Sequence, residues 1–198
     1  SSDLLVLAVP VLALAACAQP YVEPRLGFIP KSVTLVDGPG PDESHQWIDP
    51  DASASEYGSI RIDQVRPVTT GQYEVSDDDI KQVCALFDGR LRKEFVGWQG
   101  TGSKTLVIHA AVTALRANDP ARNVRAQGTE NRADRGYAAC EIYCTDGADG
   151  PVVAAYMETS HLGRRGTKRL GELGTVEGVV NDWTLALKDL FKKAKPVD

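Results

Sequence analysis

Residues 76–97 read Ser76-Asp77-Asp78-Asp79-Ile80-Lys81-Gln82-Val83-Cys84-Ala85-Leu86-Phe87-Asp88-Gly89-Arg90-Leu91-Arg92-Lys93-Glu94-Phe95-Val96-Gly97. Ile80, Val83, Cys84, Phe87, Leu91 and Phe95 recur at three- and four-residue intervals, while Lys81, Asp88, Arg92 and Lys93 fall on the other side. This is the period of an amphipathic helix with one buried stripe. Ser76 is a capping residue, Asp79 completes a capping box, and Asp77 and Asp78 suit the positive end of the helix dipole. Gly97 is expected to end it. The three aspartates are ordinary first-turn electrostatics and do not require a metal. A single-stripe helix must lie on something, and the sequence on either side supplies sheet.

Downstream, Lys104 to Leu115 alternates with Leu106, Ile108, Ala110 and Val112 on one face and Thr105, Val107, His109 and Ala111 on the other. Both faces are fairly apolar, which predicts a central strand. Tyr137 to Thr145 and Pro151 to Ser160 are two further strands, joined by Asp146-Gly147-Ala148-Asp149-Gly150 as a hairpin turn. In the first of them Ala138, Cys140, Ile142 and Cys144 form the core side, with Tyr137, Glu141 and Tyr143 opposite. A closing helix is expected from Val176 to Lys193, with Val176, Val179, Val180, Trp183, Leu187, Leu190, Phe191 and Ala194 as its stripe. Lys188, Lys192, Lys193 and Lys195 suit its negative end. Upstream, Ser59 to Val65 is a half-buried strand, and Trp47-Ile48-Asp49-Pro50-Asp51-Ala52 is a turn. The expected architecture is α/β of the α+β kind: two helices packed on one face of a mixed, mainly antiparallel four- to five-stranded sheet, in the order β-α-β-β-β-α. The first crossover can be parallel, and the later strands form a meander.

The 198-residue chain carries 22 basic and 27 acidic residues, a formal charge of -5, so nothing global points to nucleic acid. At the front, the apolar run from Leu4 to Ala16 closes in Leu14-Ala15-Ala16-Cys17. Thirteen residues span about 20 Å as a helix, short of a ~30 Å hydrocarbon core, which argues against a permanent anchor. The small residues before cysteine form a lipobox, the pattern of a lipoprotein signal peptide. Residues 1–16 are therefore expected to be removed. Residues 17–45 would form a lipid-anchored tether and wrapping segment, and 46–198 a single domain. Cys17 would carry a diacylglycerol thioether and an N-acyl chain such as palmitate, and no other cofactor is expected. Ala18, rather than Asp, after the cysteine points to the outer membrane. Plain secretion after Ala16-Cys17-Ala18 is the competing reading. Neither an initiator Met nor a basic n-region precedes the run, so the natural chain is expected to begin upstream.

Lipidation of Cys17 would leave Cys84, Cys140 and Cys144 in a compartment that permits disulfides. Cys140 and Cys144 lie four residues apart in one strand, about 13 Å, too far to bond each other. Cys84 could pair with either one across a helix-on-sheet core, or all three could remain buried thiols. No G-x-S-x-G, S-x-x-K, H-E-x-x-H or phosphate-binding glycine loop occurs, and no catalytic or metal-ligating set is assigned. His109 reads as a packed, hydrogen-bonded strand residue. A metal cluster of His45, Asp49 and Asp51 is disfavoured because capping and turn formation already account for the two aspartates, and adjacent Ser160 and His161 point to opposite faces.

The lipobox, Gly27-Phe28-Ile29, the Trp47 to Ala52 turn, Tyr57 before Ile60 to Val65, Val75-Ser76 and Asp182-Trp183 together resemble an uncharacterised family of bacterial lipoproteins, domain of unknown function 3313. The resemblance implies a small envelope lipoprotein with an α/β sandwich domain, and it transfers no catalytic residue. The expected function is a non-catalytic outer-membrane lipoprotein facing the periplasm, an accessory or adaptor domain for an envelope protein partner. The alternative is a module that holds an anionic glycan or lipid headgroup. It would use the arginine-bearing loop 116–135 and the basic connection with Arg164, Arg165, Lys168 and Arg169.

Overall fold

A computed structural model describes residues 25–38, 43–98, 100–117, 136–162 and 174–193. The strands are β1 (Val36–Asp37), β2 (Glu43–Ile48), β3 (Tyr57–Ile62), β4 (Arg66–Glu74), β5 (Lys104–Arg116), β6 (Tyr137–Asp146) and β7 (Val152–His161). The helices are α1 (Asp77–Phe95), between β4 and β5, and α2 (Gly174–Lys193), after β7. The class is α+β, with two helices and a mixed, open sheet of seven strands in the order β1-β2-β7-β6-β5-β3, β4 also pairing with β5.

Three further strands, the two-residue β1, β2 and β4, make the sheet larger than the expected four or five. Trp47 and Ile48 belong to β2, and the turn begins only at Asp49, whose side chain accepts from the Asp51 N–H at 2.9 Å. The segment after Val65 is a further strand, β4, whose exposed and half-buried residues carry no clean alternation. β3 and β4 run parallel to β5 in succession, β3 along residues 104–108 and β4 along 111–116, with a register break between Pro67 and Gln72. Tyr73 holds that break in place: its hydroxyl accepts from the Val68 N–H at 2.9 Å and donates to the Val112 carbonyl at 2.6 Å. The parallel crossover through α1 and the antiparallel β5-β6-β7 meander are as the sequence led us to expect.

Helix α1 is capped as its sequence indicates, the Ser76 hydroxyl accepting from the Asp79 N–H at 3.2 Å. Its buried residues are Ile80, Val83, Cys84, Phe87, Leu91 and Phe95. They form one core with Leu106, Ile108, Ala110 and Val112 of β5, Ala138, Cys140, Ile142 and Cys144 of β6, and Val176, Val180, Trp183, Leu187, Leu190 and Phe191 of α2. Phe87 of α1 meets Trp183 of α2 with ring centroids 5.4 Å apart. Both helices thus cover a single face of the sheet.

The opposite face has its own cover. Ile29 and Val33, fully or almost fully buried, pack with Ala155 and Met157 of β7, flanked by Leu35, Trp47 and Tyr143. Residues 25–35 therefore form a strap across the second face, and their chain continues into β1, the edge strand of the sheet beside β2. The sheet takes up the chain from Val36, the first residue of β1.

Candidate functional site

The most organised polar chemistry among the described residues lies on this second face. β6 places Glu141 and Tyr143 there, two residues apart, and β5 places His109 directly across from Tyr143. Glu141 has no exposed surface. Its carboxylate accepts from two backbone N–H groups of the strap, Leu26 at 2.5 Å and Ile29 at 2.7 Å. A buried carboxylate without donors would be costly, so these two bonds fix the strap where they lie. Arg25 rigidifies the same turn, donating to the carbonyls of Ile29 at 3.2 Å, Pro30 at 2.5 Å and Val33 at 3.1 Å.

An aromatic row continues from the strap. Phe28 meets Tyr143 at 5.3 Å, and Tyr143 stacks on the His109 ring at 4.5 Å and 17°. The Arg66 guanidinium stands 5.8 Å over Phe28. At the end of the row, His109 Nδ1 lies 2.9 Å from Asp63 Oδ2, and Nε2 lies 3.2 Å from the Thr145 hydroxyl. Thr145 in turn donates to the Gly147 carbonyl at 2.6 Å. Burial holds the His109 imidazole below the usual histidine range; Asp63 works the other way, and Arg61 and Arg66 reinforce the burial effect.

A second buried carboxylate faces the helices. Glu158 of β7 accepts from the hydroxyls of Tyr156 and Ser160, two residues to either side on the same strand face. Burial and the nearby Glu158 charge hold the Tyr156 phenol far above its ordinary range, so it serves as a donor.

The cysteines divide between α1 and β6, all on the helix-covered side, and all three are free, buried thiols rather than a bridged pair. Burial pushes Cys84 up to about 11 and holds Cys140 and Cys144 well above the ordinary thiol range. Thiols in that state are poor nucleophiles.

His109 is the packed, hydrogen-bonded strand residue expected. His45 lies in β2 with Nδ1 3.2 Å from Asp37, while Asp49 is engaged in its own turn. Ser160 is buried on Glu158 and His161 is exposed, so the two do point apart. Among the described residues no group of three or more His, Cys, Asp or Glu side chains could hold a metal ion. Among the same residues no helix is long and apolar enough to cross a membrane. Cys17, most of the loop 116–135, and Arg164, Arg165, Lys168 and Arg169 lie outside the described residues.

Sequence reasoning missed Glu141 as a strap clamp, and Asp63 and Thr145 as partners of His109. The signal for Glu141 was present: it is a lone acid within a strand whose neighbours Cys140 and Ile142 are apolar. Such a residue is buried only when something donates to it. Nothing local says that the donors lie 112 residues or more away.

Residues 30–187 match the family described as "Protein of unknown function (DUF3313)". The chain belongs to that family. Two solved structures are similar to this DUF3313 chain. One is the PelC dodecamer from Paraburkholderia phytofirmans, space group P6, at 12% identity, covering 77% of this chain and 98% of that chain with a TM-score of 0.42. The other is a dodecamer of a PelC point variant from the same organism, space group C2, at 11% identity, covering 73% of this chain and 96% of that chain with a TM-score of 0.42. No curated protein matches the chain.

Proposed function

We propose that this chain is a non-catalytic accessory domain of the bacterial envelope, tethered through a lipid on Cys17 and offering a folded surface to an envelope protein partner. The observation that supports this reading is the strap. Residues 25–35 do not lie on the domain as a loose linker; they are bonded to the buried Glu141 at Leu26 and Ile29. Arg25 lies eight positions after Cys17, a reach of at most about 28 Å when fully extended. A lipid at Cys17 would therefore keep the domain close to the bilayer with the strap side facing it. The helix layer would then be turned toward the periplasm and a partner. The high, buried thiols and the engaged histidines favour a binding role over a nucleophilic one.

Intact mass spectrometry of the protein extracted from its host envelope, with Cys17→Ser as control, tests the tether. A triacylated chain beginning at Cys17 is expected, and it should vanish in the variant. A mature chain beginning at Gln19 and carrying no lipid would overturn the reading. Orientation is tested with fluorophores at Lys31, on the strap, and Leu185, on α2: bilayer-bound quenchers should dim the first far more than the second.

A further inference from the structure

His109 has two hydrogen-bonding neighbours that make incompatible demands on a neutral ring. Asp63 is a carboxylate that only accepts, so Nδ1 carries a proton toward it across 2.9 Å. Thr145 has one hydroxyl proton, and its bond to the Gly147 carbonyl at 2.6 Å uses it. The hydroxyl can then meet Nε2, 3.2 Å away, only as an acceptor. This bonding pattern is that of an imidazolium, protonated on both nitrogens. Burial opposes that charge, as do Arg61, 3.3 Å from the other Asp63 oxygen, and Arg66 on β4. Among the described residues Asp63 is the acid paired with the ring, Tyr143 stacks on it, and Thr145 is the other side-chain hydrogen-bond partner. A neutral ring would need the Thr145 proton for itself, and the Gly147 carbonyl would lose its short bond.

We propose that His109 and Thr145 form a proton-operated switch: in acid the Thr145 hydroxyl closes on Gly147, and at neutral pH it turns to donate to His109 Nε2. The two states touch different parts of the fold. Gly147 sits at the β6–β7 turn in a left-handed conformation, φ +76°, and its N–H donates to the Thr105 carbonyl at 2.8 Å. Loss of the Thr145 bond loosens that turn. At the other end, Tyr143 lies between the His109 ring and Phe28 of the strap. A charged ring attracts the Tyr143 face more strongly than a neutral one. Acid therefore tightens both the turn and the aromatic row, and the intrinsic cost of burying the charge keeps the switch from closing until the medium is acidic.

The experiment is a pH titration of the full-length, 15N-labelled protein between pH 4.5 and 8, following the two His109 ring nitrogens, the Gly147 amide and the Tyr143 ring. The switch predicts that Nε2 gains its proton in acid and that Gly147 and Tyr143 move with the same midpoint. Asp63→Asn should lower that midpoint by about one pH unit. Thr145→Val should leave His109 titrating while Gly147 no longer follows it. His109→Gln should abolish the shared transition of Gly147 and Tyr143. A His109 ring that keeps one proton throughout the range in the folded protein would overturn the proposal, as would a Gly147 transition that persists in either the His109→Gln or the Thr145→Val protein.

Discussion

The Ile29 N–H donates to the carboxylate of Glu141 at 2.7 Å, joining a backbone amide in the strap to a fully buried acid in the middle of β6. With the Leu26 N–H on the other oxygen, one side chain fixes the path of the chain over the second sheet face. Elsewhere that cover rests on a small apolar cluster around Ile29, Val33, Ala155 and Met157.

Removing the carboxylate should free the strap. In Glu141→Ala the buried Ile29 amide and the part-buried Leu26 amide lose their acceptor, which costs about 2–3 kcal/mol in all. Urea denaturation should show the loss, and hydrogen exchange should accelerate at Leu26 and Ile29 before the β5–β6 ladder is affected. Uniform acceleration across the sheet would mean that Glu141 supports the whole fold rather than the strap.

The thiols should be silent in the folded protein. In a Cys17→Ser background, Cys84, Cys140 and Cys144 should fail to react with an aromatic disulfide reagent at pH 8, and all three should react once the chain is unfolded in guanidinium. Burial holds each thiol in its protonated form, so raising the pH to 9 should restore little reactivity. Fewer than three thiols after unfolding without reductant would reveal a bridge.

Acid should weaken the α1 anchor through Asp88. Its carboxyl is held below the usual range by hydrogen bonding to Arg92, helped by the Val65 N–H, and burial opposes this. A carboxylate with a lowered folded pKa gives stability that is fully present above its unfolded value of 3.8 and is lost as pH falls through the folded one. Asp88→Asn should cost about 1 kcal/mol at pH 7, and the variant and parent should converge below about pH 3. An equal difference at both pH values would assign the loss to packing instead.

Glycines in two places should respond in opposite directions. A Cβ at Gly102 would stand 1.8 Å from the Glu56 carbonyl oxygen, so Gly102→Ala should destabilise by at least ~2 kcal/mol. At Gly89 in α1 and Gly178 in α2 a Cβ would meet nothing within 4 Å, and alanine should gain about 0.5–1 kcal/mol at each. Thermal melts of the three single variants would check the sign of each change.

The sequence by itself determined the parts of this protein whose physics is local. The capping box at Ser76 and Asp79, the six-residue stripe of α1 and the alternation of β5 and β6 each repeat within a few residues. With the stripe of α2 they gave both helices, the meander and the face on which the core lies, and they left the first crossover able to be parallel. The glycine-punctuated turn after Asp146 was equally legible, because a left-handed residue is needed there and Gly147 provides it. Tertiary structure alone decided the rest. β2 and β4 carry mixed burial, and each exists as a strand because β7 and β5 offer hydrogen-bonding edges. The Glu141 clamp, the Asp63–His109–Thr145 chain and the Phe28–Tyr143–His109 row join residues 34 to 115 positions apart, or residues whose facing depends on strand register. A one-residue slip between β5 and β6 would send His109 and Tyr143 to different neighbours. Periodicity states which way a side chain points, and only the assembled sheet decides what it meets.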